Sequence, residues 1–194
     1  MKLYLNGTSP FARLARATAL ELDLSTIEME WVDPWSDQAE LLIVNPLSRV
    51  PALADDSGDV LTETLLIVRH LIENAKRDSE LRTKDMRTIT ELGVAYGMME
   101  LAFAFTIHKK HCGESGTTLQ NRRKSSLRRG LEVMEAVVAE DMRWSLSRLC
   151  LWIALDYIRF REVLDEATLD NYPSLDKFFT AHQDRAALSS TAFS

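Results

Sequence analysis

Along roughly the first 75 residues the spacing of apolar positions keeps changing; beyond them it settles into one period. Lys2 to Leu5 reads as a short strand. Thr26 to Val32 reads as a second, because Ile27, Met29 and Trp31 alternate with Glu28 and Glu30, as in a half-buried strand. Between them Phe11, Leu14, Ala15, Thr18 and Leu22 recur at three- and four-residue spacing, which predicts a helix over Pro10 to Leu22. Ser36 to Val44 predicts a short helix. Ala52–Ala54 and Val60–Thr62, joined by Asp55-Asp56-Ser57-Gly58-Asp59, predict a hairpin, and Thr64 to Glu73 a closing helix. The order is βαβ, helix, ββ, helix, with a first crossover long enough for parallel strands. From there on the period is helical, with apolar stripes near 83–110, 118–142, 145–162 and 172–184. Leu149-Cys150-Leu151-Trp152-Ile153-Ala154-Leu155 is apolar all round, as a central buried helix is, so an antiparallel bundle is expected.

Other signals divide the chain at the same place. Four of the five prolines lie in the first 51 residues. Residues 1–75 carry 5 basic and 12 acidic side chains, a net −7, whereas 76–194 carry 18 and 17, a net +1. The polar run Asn74 to Glu80 marks the junction. We expect a first domain over 1–75, a linker over 76–82 and an all-helical domain over 83–194. Gly and Pro together make 12 of 194 residues, half of the usual ~12%, which disfavours turn-rich all-β folds. No apolar run approaches the ~18 residues of a membrane span, so no membrane partner is expected. Met1 to Asn6 opens no apolar signal region, and Cys112 and Cys150 make no disulfide framework; the expected location is the cytoplasm.

Chemistry concentrates in three short segments. Thr8-Ser9-Pro10-Phe11 joins the first strand to the first helix, with Ser9 suited to the N-cap and Pro10 to the first helical position. A helix start gathers free backbone N–H groups and positive dipole at one spot, which stabilises a thiolate or carboxylate; it is equally a plain capping device. In Asn45-Pro46-Leu47-Ser48-Arg49-Val50-Pro51-Ala52-Leu53, a Val-Pro before a strand invites a cis peptide that turns the valine backbone outward to receive an extended peptide. A trans proline that merely starts a strand is the alternative. Glu63-Thr64 opens a helix, where an amide and a hydroxyl can hold a carboxylate or simply cap.

In this order and spacing the segments resemble the cytosolic glutathione transferase family, at its bacterial end: strand, Ser-Pro-Phe-x-Arg helix, Asn-Pro-x-x-x-Val-Pro-x-Leu, hairpin, then Glu63-Thr64-Leu65-Leu66-Ile67 for the family's Glu-Ser-x-x-Ile. Leu155 to Arg161 and Tyr172-Pro173-Ser174-Leu175 are similar to late helices of its C-terminal bundle. The resemblance implies an α/β thioredoxin-like domain followed by an all-α bundle, in a homodimer. It also implies glutathione as co-substrate, no metal, and transfer of the tripeptide to small hydrophobic electrophiles in detoxification. Ser9 would face the thiol and stabilise the thiolate. Val50, before Pro51, would pair its backbone with the cysteinyl part. Glu63 would bind the γ-glutamyl amine and Thr64 its carboxylate; Arg49, in place of the usual Lys, would reach a glutathione carboxylate or else is a solvated strand-edge charge. Ser rather than Cys at position 9 ranks conjugation above thiol-disulfide exchange. A non-catalytic relative serving as a protein-interaction or regulatory module is the alternative.

Two departures stand out. Thr64 adds a methyl to the usual Ser, and the family's Ser/Thr-x-x-Asp capping box is here Ser145-Leu146-Ser147-Arg148, a loss worth ~1 kcal/mol unless another acceptor substitutes. Three further signals read as structural. His108-Lys109-Lys110-His111-Cys112 superficially resembles a metal cluster, but its lysines oppose a cation, and a helix end before a Gly113/Gly116 loop is expected. Arg122-Arg123-Lys124-Ser125-Ser126-Leu127-Arg128-Arg129 lacks interleaved aromatics in an acidic chain, so a solvated face is expected rather than nucleic acid. Tyr96, Met98, Met99, Phe103 and Phe105 are first of all core, with some able to line an electrophile pocket.

Overall fold

Lys2–Leu5 forms β1, and because Leu3 and Leu5 are fully buried it becomes the inner strand on which the first unit is built. The computed structural model describes residues 1–76, 78–82, 85–113, 117–165 and 170–194 and divides into two compact units, Met1–Arg82 with Arg185–Ser194, and Thr83–Asp184. Arg77 of the expected linker, Thr83 and Lys84 at the expected start of the bundle, and Gly116 lie outside the described residues.

In the first unit α1 (Pro10–Glu21) leads to β2 (Glu28–Trp31), then α2 (Ala39–Val44), β3 (Ala52–Ala54), β4 (Val60–Thr62) and α3 (Thr64–Asn74). The sheet order is β2-β1-β3-β4, with β1 and β2 parallel and the other two pairs antiparallel. This is the thioredoxin-like arrangement. Each element lies where its periodicity puts it, within a few residues. One detail of β2 differs from expectation: Ile27 is buried, but Trp31 is 53% exposed. An edge strand has no neighbour on its far side, and the Trp31 ring is met instead by the Arg16 guanidinium, 5.1 Å from its centroid. On the same strand, Glu28 and Glu30 both pair with Lys2.

The glycine shortage does not remove left-handed turns. Past the end of α1, Asp23 sits at φ 56° while Leu24 donates its N–H to the Ala19 carbonyl, the cap that glycine usually makes. The short α8 (Ala186–Ser189), which no apolar period announces, completes this unit.

The second unit holds α4 (Met86–Cys112), α5 (Thr118–Glu140), α6 (Leu146–Phe160) and α7 (Pro173–His182). Helix α6 is central, buried from Leu149 through Leu155. Gly130 lets α5 approach α4, since a Cβ there would lie 2.7 Å from the Met98 side chain. Side-chain caps start three of these helices: Asp85 accepts from Thr88 N–H, Thr117 from Gln120 N–H and Ser145 from Arg148 N–H. Helix α7 is capped from α5, where the two Glu135 carboxylate oxygens accept from Ser174 and Leu175 N–H at 2.9 Å each.

The start of α6 carries Arg148 where a capping box has its acid. The Arg148 guanidinium, 4% exposed, donates back to the Asp141 carbonyl at 2.9 and 3.3 Å and pairs with Glu91 of α4 at 2.9 Å. Glu91 thus receives the Arg148 side chain rather than the Ser145 N–H that a capping-box acid would take.

Candidate functional site

The strand register brings three chain segments to one end of the sheet. Tyr4 lies opposite Ala52, and Ala52 opposite Thr62. The chain just after β1, just before β3 and just after β4 therefore emerges side by side, on strands about 4.8 Å apart. These are the Ser9, Arg49–Pro51 and Glu63–Thr64 segments, and both α1 and α3 begin here.

The first segment is an Asx turn. Asn6 Oδ1 accepts from the N–H of Thr8 at 3.2 Å and of Ser9 at 2.9 Å, which delivers Ser9 in extended geometry to the head of α1. Ser9 is buried, and its Oγ accepts from Ala12 N–H at 3.2 Å. The cap uses a lone pair and leaves the hydroxyl proton for a donor role; among the described residues no acceptor takes it.

Asn45 braces the second segment. Buried itself, it donates from Nδ2 to the Arg49 carbonyl at 2.8 Å and accepts from Leu47 N–H at Oδ1. Ser48, at φ 51°, donates to the Pro34 carbonyl. The Val50–Pro51 peptide is cis, and among the described residues nothing hydrogen-bonds the Val50 N–H or carbonyl. Arg49 is exposed, with no ion pair among the described residues.

In the third segment Glu63 is the N-cap of α3 at φ 69°, ψ 121°, a region costly for a side chain with a Cβ. Its carbonyl accepts from Leu66 and Ile67 N–H, while its exposed carboxylate makes no cap. Thr64 follows, 3% exposed, as the first residue of the helix.

Two anchors of this end escape sequence reading in different ways. Asn6-Gly7 directly after a strand is a recognisable turn signal and could have been found. Arg13, 4% exposed one turn into α1, could not, because nothing local marks a cation for burial.

The other candidates lie elsewhere. His108, His111 and Cys112 occupy the last turns of α4, which ends at Gly113. No cluster of His, Cys, Asp or Glu with metal-binding geometry occurs among the described residues. The basic run lies on α5 with Leu127 buried and Arg122, Arg128 and Arg129 exposed. Met98, Met99 and Phe105 are buried core residues. Burial pushes the Cys150 thiol up, out of reactive range. No helix, among the described residues, is long and apolar enough to cross a membrane.

The family model described as glutathione S-transferase, N-terminal domain, matches residues 3–79, the span that holds all three segments. Residues 3–79 are thus similar to the N-terminal domain of glutathione S-transferases. The chain's fold is that of solved transferases throughout. A family member from Pseudomonas fluorescens Pf-5 with bound glutathione superposes at TM-score 0.88, with 22% identity and 98% of each chain covered. A glutathione S-transferase from Methylobacillus flagellatus KT with glutathione bound gives 0.82, 23% and 98% of each chain. One from Methylobacterium radiotolerans JCM 2831, in complex with glutathione sulfonate, gives 0.87 at 18% identity over 100% of this chain and 95% of that one. At such identities the likeness establishes the fold. No curated protein matches the chain.

Proposed function

We propose that this chain is a glutathione transferase that conjugates glutathione to small hydrophobic electrophiles, as a homodimeric cytoplasmic enzyme of detoxification. A free thiol of pKa ~8.5 is mostly protonated at neutral pH, and each unit of depression is worth ~1.4 kcal/mol of thiolate stabilisation. The observation that carries the reading is Ser9. Its oxygen caps α1, which leaves its hydroxyl proton available to a thiolate at the helix tip, where the dipole also favours negative charge. The other segments supply the remaining grips. The unpaired Val50 backbone receives the cysteinyl peptide, Glu63 the γ-glutamyl amine, Thr64 and the start of α3 its carboxylate, and Arg49 a further carboxylate. The solved relatives that hold glutathione support the choice of tripeptide.

The step itself needs no metal. The thiol proton leaves to solvent, the sulfur lone pair forms a bond to the electrophilic carbon, and with a chlorinated nitroarene chloride departs with the bonding pair. The test is capture on immobilised glutathione followed by a chloronitrobenzene assay of the protein and its Ser9→Ala variant. Retention with turnover that drops in the variant is expected. Failure to be retained favours a partner-binding module instead, and unchanged turnover moves the chemistry away from Ser9.

A further inference from the structure

The segment Arg185–Ser194 runs back along α1, from its C-terminal end to the loop that presents Ser9. At the far end the Arg185 guanidinium donates to both Glu21 carboxylate oxygens, at 3.0 and 2.9 Å. Further along, Arg16 donates to the Ser190 carbonyl at 3.0 Å. Next, Arg13 donates from Nε to Thr191 Oγ1 at 3.3 Å and to the Leu188 carbonyl at 3.2 Å, with its guanidinium 4.3 Å from the Phe193 ring centroid. Finally Ser194 donates its N–H to the Gly7 carbonyl at 3.4 Å.

We propose that this segment is a clasp that sets the position of Ser9, with Arg13 as the positioning residue and Gly7 as the seat of the clasp. Arg13 is tied to Ser9 directly, since its N–H donates to the Ser9 carbonyl at 3.0 Å, the first turn of α1. Burying a guanidinium this deeply is costly unless its donors are engaged, and the clasp supplies carbonyl, hydroxyl and ring to engage them. A Cβ at Gly7 would lie 2.4 Å from Ser194 Oγ, which would have to turn away from the loop, and 3.4 Å from the Ser194 carbonyl oxygen. The loop between β1 and Ser9 is thus held from one side by Asn6 and from the other by Ser194. A donor hydroxyl acts on a thiolate only within hydrogen-bond reach, so a clasp that shifts the loop by a fraction of an ångström alters the chemical step more than tripeptide binding.

The inference rests on the proposed glutathione site, and the experiment separates the two. Steady-state kinetics with glutathione and a chlorinated nitroarene are compared for the protein, Arg13→Met, Gly7→Ala, and Gly7→Ala combined with Ser194→Gly. Gly7→Ala and Arg13→Met are expected to lower kcat about tenfold while KM for glutathione changes less than about threefold. Ultraviolet absorbance of the bound thiolate is expected to fall in parallel. The added Ser194→Gly is expected to return kcat to near the starting value, a rescue that general damage to folding would not permit. Should Arg13→Met not fold, the Gly7 pair still decides. Unchanged kcat in Gly7→Ala, or no rescue in the double variant, overturns the clasp and leaves the site standing. An unmodified protein that neither holds nor turns over glutathione removes the site, and the clasp with it.

Discussion

Helices α1 and α3 start at the same end of the sheet and are built to opposite rules. The start of α1 is what stability alone would choose: a serine in extended geometry, its oxygen on the Ala12 N–H, and a proline at the first helical position. The start of α3 is what stability would avoid. Glu63 holds φ 69° without glycine's freedom, and its side chain returns no cap to the helix. Such a conformation costs about 1–3 kcal/mol. The difference separates a start whose own side chain caps the helix from one whose side chain does not. The bundle sharpens the contrast, because α4, α5 and α6 all start with side-chain caps.

The largest effect is expected at the α6 start, where Arg148 is buried against Glu91 and the Asp141 carbonyl. Arg148→Met leaves Glu91, 11% exposed, without its buried partner and strips both donors from the Asp141 carbonyl. A loss of about 3 kcal/mol in denaturant unfolding is expected. A change under about 1 kcal/mol would mean that Ser145 alone suffices.

At the sheet end, the two helix starts are expected to respond with opposite signs. Ser9→Ala removes the cap and the donor together, so stability falls by about 1 kcal/mol and turnover by about tenfold to a hundredfold. Ser9→Asp separates the roles: aspartate caps as well as serine, so stability holds while a negative charge against the thiolate lowers turnover further. Glu63→Gly relieves the backbone and is expected to raise stability by about 1 kcal/mol while weakening glutathione binding about tenfold in calorimetry. A variant that is less stable than the parent, or that binds glutathione equally well, would mean Glu63 serves the fold.

This pairing also explains what could be read in advance. The strands, helices and three site segments follow from local chemistry: period, caps, and prolines beside strand ends. The shared sheet end was legible only through the order of segments, because register depends on pairing across the chain. Trp31 departed from its alternation because period two fixes which face a residue takes, not whether anything covers it. Glu63's φ and the burial of Arg13 were illegible for a related reason. The burial of Arg13 follows from partners distant in sequence, and a charged side chain carries no local mark of either its burial or its backbone angle.

The smallest effect returns to the bundle and tests whether the Asp141 contribution depends on charge. The Arg143 side chain, and then the Arg143 N–H, hydrogen-bond the Asp141 carboxylate and hold it well below the usual carboxylate range, at about 2. A carboxylate depressed in the folded state contributes stability above its unfolded value near ~3.9 and loses it as pH falls through the folded value. The side chain is 35% exposed, so solvent screening limits the contribution to under about 1 kcal/mol. Asp141→Asn should therefore be slightly less stable than the parent near neutral pH, with the gap closing as acid is added between about pH 4 and 2. Denaturant midpoints of the two proteins across that range measure the gap directly. Because Arg148 reaches the Asp141 backbone carbonyl rather than its carboxylate, the α6 start should survive in the variant. A gap that stayed constant with pH would place the Asp141 contribution in neutral hydrogen bonding.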